Sequence, residues 1–157
     1  MLKGKYKFLI IFLLFLLIDQ LTKSYIRLNF YLGESLNISS FFNIVLVHNL
    51  GVAFGFLNDA GGWQKYFFIT ISSVASIFIL GWFLKEPLKN QILLWALILI
   101  LVGAVGNLID RATLGYVIDF LDFHYQNYHW PAFNIADSSI FLGMILFIFD
   151  SLSRKDN

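Results

Sequence analysis

Asp119 and Asp137 are the side chains from which a reaction can most readily be built in this chain. Asp119 stands in the strand-like run Tyr116-Val117-Ile118-Asp119-Phe120-Leu121, and Asp137 in Phe133-Asn134-Ile135-Ala136-Asp137-Ser138-Ser139, at the start of an apolar helix. A carboxylate at the edge of lipid costs a few kcal/mol on insertion scales, so such groups are functional candidates by default. Facing each other, the two would share a proton and titrate in separated steps. One could then take a proton from water while the other, protonated, polarises a carbonyl. Apolar neighbours and partial burial are expected to raise the Asp119 pKa. The spacing alone does not choose this reading. The two stand eighteen positions apart, a gap without intrinsic specificity, so two unrelated interfacial carboxylates fit as well. Asp137 also fits a plain cap, with Asn134 at the N-cap and Asp137 three residues on.

The surrounding residues leave few other chemistries. Asp110-Arg111 ends the third apolar run; Arg111 reads either as an interfacial anchor or as a group that holds a substrate carbonyl or orders the aspartates. Asp19 and Lys23 are four apart and can pair across one helical turn, a structural role. Asn49, Asn107 and Asn134 lie near lipid and must be hydrogen-bonded; they meet substrate backbone or tie loops. His48, His124 and His129 read as interfacial side chains. The chain has no cysteine and no His-Glu-x-x-His helix, so neither a metal nor another cofactor is expected. It has no Gly-x-Ser-x-Gly elbow, and Ser138 and Ser139 have no lysine or histidine close in sequence.

The elements that must position these groups are set by composition. Of 157 residues, 59% are hydrophobic and 13% charged, where soluble domains carry about 25% charged residues. So little charge cannot coat a water-exposed globule, and the solvent is largely lipid. A net charge of +1 argues against nucleic acid.

Lys3, Lys5 and Lys7 precede the apolar run Phe8 to Ile18, which taken alone resembles a secretory signal peptide. No small-x-small cleavage site follows, so the segment reads as an uncleaved first span. Spans are expected at about 6–27, 67–84, 92–110 and 134–150, with a β-rich segment at about 33–62 and a polar, aromatic loop at about 112–131. The fold class is therefore a single membrane all-α domain with a small β element. The β-rich segment contains Gly51, suited to tight backbone, and the turn-like Asp59-Ala60-Gly61-Gly62. An open sheet edge cannot face lipid, so it belongs at the membrane surface or against protein. Four spans put both termini on one side. Lys85, Lys89, Arg154 and Lys155 fall there with the N-terminal lysines, which the positive-inside rule makes cytoplasmic. The β-rich segment and Asp119 then share the outer face.

The ordered motifs Asp19-Gln20-x-x-Lys23, Asn49-x-Gly51-x-Ala53-Phe54, Gly103-Ala104-x-Gly106-Asn107-Leu108-Ile109-Asp110-Arg111, Val117-Ile118-Asp119-Phe120 and Phe133-Asn134-Ile135-Ala136-Asp137-Ser138 resemble the lipoprotein signal peptidases (signal peptidase II), bacterial membrane aspartic proteases. The resemblance covers nearly the whole chain. It implies four transmembrane helices, a β-cradle on the extracytoplasmic face, and cleavage of diacylglyceryl-modified prolipoproteins just before the lipidated cysteine. It makes Asp119 and Asp137 the catalytic pair, gives Asn49, Asn107, Arg111 and Asn134 (with Gly51 beside Asn49) to the substrate or inhibitor site, and leaves Asp19, Lys23 and Asp110 as support. A multi-pass monomer of the bacterial inner membrane, inhibited by globomycin-like peptides, is the expectation. The competing class is a non-enzymatic proton-linked carrier or membrane assembly factor, in which the same carboxylates carry protons or bind helices. The gathering of charge at one face, with apolar helix middles, disfavours a carrier. A lipid-modifying transferase lacks a nucleophile or metal site.

Overall fold

The computed structural model describes residues 4–51 and 63–154. In chain order it contains α1 (Tyr6–Asn29), β1 (Ser35–Ser39), β2 (Phe42–Asn49), α2 (Trp63–Lys85), α3 (Gln91–Thr113), β3 (Val117–Tyr125), β4 (Tyr128–His129) and α4 (Ile135–Ser153). All four helices are long and apolar enough to cross a bilayer. They outrun the expected spans because polar residues at the ends of an apolar run continue the helix into the interface. Asp110 and Arg111 lie in the last turn of α3, at the end of the apolar run as expected.

α3 is the central helix. More than half of its most apolar window (56%) is buried, against 11–17% for the other three. Its Leu94, Leu97, Ile98 and Val102 are sealed from solvent, whereas Leu13 and Leu17 of α1, Ile77 and Phe78 of α2, and Phe141 and Ile148 of α4 face outward. Lipid tails are as apolar as leucine, so close packing rather than water exclusion must hold α3 to α4. Glycine supplies that approach. A Cβ on Gly103 would run into the Ala136 carbonyl and Ile140, and one on Gly143 into Ile100 and the Ala96 carbonyl.

The sheet is a four-stranded antiparallel array in the order β1-β2-β3-β4. Half of it therefore comes from the 112–131 region read as a loop, although the apolar run around Asp119 does form a strand. The β-rich reading of 33–62 covers β1 and β2. Its remainder, 52–62 with the Asp59–Gly62 turn, lies outside the described residues. Gly115, just past the α3 C-cap, takes φ +90° and donates to the Arg111 carbonyl. This left-handed turn is open to glycine at little cost, and it sends the chain straight from α3 into β3. Val47 then pairs with Asp119 across the ladder, beside an irregularity between Ile44 and Val47. Ile26 of α1, Leu46 of β2, and Ile118 and Phe120 of β3 form the core beneath the sheet.

Candidate active site

The fold brings Asp119 and Asp137 onto one bridging side chain, Asn134. Asn134 is the N-cap of α4 and is fully buried. Its Nδ2 donates to Asp119 Oδ1 at 2.6 Å, while its Oδ1 accepts the Asp137 backbone N–H at 2.9 Å. The Asn134 N–H in turn donates to Asp137 Oδ2 at 3.3 Å, closing the capping box. The local helix-start chemistry thus also sets the relation between the two carboxylates. The remaining oxygens are held by two further amides: Asn49 Nδ2 donates to Asp119 Oδ2 at 2.8 Å, and Asn107 Nδ2 to Asp137 Oδ1 at 2.7 Å.

The two environments differ. Asp119 is 1% exposed on a central strand, and Asp137 is half-buried. Burial pushes the Asp119 carboxyl up to about 7, with the Asp137 charge adding to the rise; the Asn49 and Asn134 hydrogen bonds and the Lys23 charge oppose it. A carboxyl with its pKa raised to about 7 beside one that faces a cavity has the unlike environments that an acid/base pair requires. That cavity, about 570 Å³, runs from Asp137 and Ser138 past Phe133 and Phe123 to Phe141 and Leu142, the last two on the lipid-facing side of α4.

Arg111 approaches from the other flank. Its guanidinium lies 5.3 Å above the Phe68 ring, in the field of Asp137, Asp119 and Asp110. Its Nε is buried without a hydrogen-bond partner among the described residues. Gly51 takes φ +97° against the same Phe68 ring, where a side chain would collide, and its N–H donates to Asn49 Oδ1 at 2.8 Å. Among the described residues no cluster suited to a metal ion occurs.

The family model for signal peptidase (SPase) II matches residues 11–153. The chain belongs to the signal peptidase II family. It is similar to the lipoprotein signal peptidase of Janthinobacterium sp. (strain Marseille), at 54% identity over 88% of this chain and 83% of that one. It is also similar to the lipoprotein signal peptidase of Alteromonas mediterranea, at 48% identity over 96% of this chain and 82% of that one. Among solved structures, it is similar to a bacterial membrane enzyme determined in meso at 2.3 Å resolution, with a TM-score of 0.86, 34% identity, and coverage of 97% of this chain and 91% of that chain.

Within this family fold the sequence-designated residues lie at different depths. Asp137 lines the cavity, Asn49 reaches the buried Asp119, and Gly51 and Arg111 share the Phe68 ring. Asn107 and Asn134 are buried and spend their amides on the aspartates, so in this structure they face carboxylates rather than open space. Asp19, Lys23 and Asp110 lie deeper still. Sequence reasoning named Gln20 in a motif but gave it no role; its Nε2 reaches Asp19 Oδ2, Asp110 Oδ1 and the Gly106 carbonyl at 3.1–3.2 Å. A glutamine in an apolar helix beside an aspartate was the available signal. It also missed Asp122, which accepts from Asn43 and meets His129 Nδ1 at 2.9 Å. Burial would raise Asp122, but those two partners hold it below the usual carboxylate range. His129 is thus a paired side chain, while His48 stacks on Tyr116 with ring centroids 3.8 Å apart.

Proposed function

We propose that this chain is a membrane aspartic endopeptidase that removes signal peptides from prolipoproteins, cleaving just before the lipidated cysteine with Asp119 and Asp137 as its acid/base pair. The observation that carries the reading is the Asp119–Asn134–Asp137 bridge, in which Asn134 holds the Asp119 carboxyl with its side chain and the Asp137 carboxyl with its backbone N–H. Membership of the signal peptidase II family supplies the substrate class.

The pair starts with one proton, on Asp119. Water between the carboxyls attacks the scissile carbonyl carbon and gives a proton to ionised Asp137, while Asp119 gives its proton to the carbonyl oxygen. The resulting gem-diol collapses: a hydroxyl proton returns to Asp119, the C–N bond breaks, and the leaving amine takes the proton from Asp137. No metal or covalent nucleophile is needed, because general acid–base catalysis suffices. Arg111, whose buried Nε has no partner among the described residues, is suited to hold a substrate carbonyl. The apolar cavity beside Asp137 is continuous with the lipid-facing side of α4 and suits an apolar part of a membrane-borne substrate.

The site lies on the extracytoplasmic side, with both ends of the chain cytoplasmic by the positive-inside rule. The protein acts as a monomer, binds no nucleic acid and is inhibited by globomycin-like peptides. A carrier is less well supported, since buried Leu94, Leu97, Ile98, Leu101 and Val102 fill the middle of α3 with no polar path among them. The test is gel-shift processing of a lipidated precursor by purified protein in detergent, with and without a globomycin-like peptide. Inhibitor-sensitive conversion of the precursor is expected; no conversion by folded protein would overturn the reading.

A further inference from the structure

Lys23 lies beneath the carboxylate pair and is 1% exposed. An ammonium has three hydrogens to donate, and here three acceptors surround it: Asp19 Oδ2 at 3.0 Å, Asp110 Oδ2 at 2.9 Å and Asn107 Oδ1 at 3.0 Å. The other reaches of the two carboxylates are unusual. Asp19 Oδ1 accepts the backbone N–H of Ala136 at 2.8 Å, and Asp110 Oδ2 accepts that of Ile118 at 3.2 Å. Ala136 immediately precedes Asp137, and Ile118 immediately precedes Asp119. Each supporting carboxylate therefore grips the residue before one of the reacting carboxylates, from α1 in one case and α3 in the other. Lys23 joins the two grips.

Its third hydrogen does something further. An amide side chain presents one acceptor and two donors. By occupying Asn107 Oδ1, Lys23 turns Asn107 Nδ2 toward Asp137 Oδ1, 2.7 Å away. A second donor, Asn134 Nδ2, reaches the same Asn107 Oδ1 at 3.3 Å. The links from Lys23 toward the site thus end on Asp137, on Asn134, or on the backbone just before Asp119 or Asp137.

Resting on the paired-aspartate reading above, we propose that Lys23, with Asp19 and Asp110, is a clamp that positions the reacting carboxylates. It sets the separation of Asp119 and Asp137 and the orientation of the Asn107 amide, beyond holding α1 to α3. Paired burial of this kind is weak evidence for stability, since apolar replacements of a whole buried ion cluster are often neutral. Its geometry points instead to placement of the site.

The test uses the full-length enzyme with a lipidated precursor and reads kcat, KM, the pH–rate profile and Tm. Lys23→Gln removes the charge but keeps an amide donor. It is expected to lower kcat by about a hundredfold, the cost of a small misplacement of reacting groups, with KM close to that of the wild type. The groups facing Asp119 are Asp137 from α4, Arg111 from α3 and Lys23 from α1. Losing the Lys23 charge therefore moves the alkaline limb of the profile to higher pH, since that charge lowers the Asp119 pKa. A lower Tm with kcat and pH profile unchanged would overturn the proposal. Should Lys23→Gln fail to fold, the charge-free combination Asp19→Asn, Lys23→Met and Asp110→Asn leaves no unpaired buried ion, and the same kcat loss is expected. Wild-type kcat in that variant, or failure of both variants to fold, would overturn the clamp. Asp119→Asn measured alongside separates the two ideas: turnover there ends the acid/base reading, whereas an inert Asp119→Asn beside a fully active Lys23→Gln ends the clamp alone.

Discussion

The two ends of the helix bundle are both tied by polar networks, and they differ in burial. At the end away from the sheet, Lys5 donates to the Phe83 and Leu84 carbonyls that close α2, Lys7 reaches Gln91, Glu86 accepts from Trp82 and Asn90, and Arg154 spans Asp150 and Glu86. Arg154 is 47% exposed in its pairs. At the sheet end, Asp19, Lys23, Asp110, Asn107, Asn134 and Asp119 are each at most 6% exposed. The first network ties chain ends and, apart from Lys5 at 2% exposed, is partly open to water, so most of its groups can be rehydrated when a partner is lost. A buried one leaves no such substitute, so every donor and acceptor in it fixes the position of another. One network fastens the bundle, and the other surrounds the candidate site.

That contrast is broken most directly at the carboxylates. Asp119→Asn and Asp137→Asn should each abolish precursor cleavage, a loss at or beyond the roughly 10²–10⁴ that a general acid or base contributes, while the proteins still insert and fold. Turnover in either purified variant would refute the pair. Asn134→Ala comes next. It removes the α4 cap, worth about 1 kcal/mol, and the donor to Asp119 Oδ1, so both Tm and kcat should fall. A Tm loss with kcat intact would reduce Asn134 to a cap. Arg111→Ala should lower kcat/KM by an amount matching about 1.5–3 kcal/mol, the range for one hydrogen bond to a charged group; wild-type kinetics would remove it from the site. At the opposite end, Arg154→Ala should change stability by about 0–1 kcal/mol and leave cleavage unchanged. A large activity loss there would erase the distinction between the two ends.

The sequence made the exposed features legible and the convergent ones obscure. Apolar runs announced four helices, because span length follows from bilayer thickness. The α4 capping box was readable from Asn134 and Asp137, as was the pairing of Asp19 with Lys23, since helical geometry fixes neighbours three and four apart. Nothing local told that Lys23 also holds Asp110, that Asn134 reaches Asp119, or that Asn43 would meet Asp122. Those contacts join residues 15 to 87 positions apart. They depend on glycine-mediated packing of α3 on α4 and on the pairing of β2 with β3. The pairing of β3 and the whole of β4 were missed for the same reason: β3 gains strand partners only when α3 and its Gly115 turn deliver it alongside β2. The family resemblance supplied the pairing of Asp119 with Asp137, which their spacing could not.

The most direct test of the shared-proton claim is the single-turnover pH–rate profile of the wild-type enzyme on a lipidated precursor. In the proposed mechanism Asp119 holds its proton for the acid step, and its carboxyl is pushed up to about 7 by burial and by the Asp137 charge. The rate should therefore fall as pH rises through about 7, as Asp119 ionises. A cleavage rate that stays level through that interval, in an enzyme that remains folded, would contradict the account.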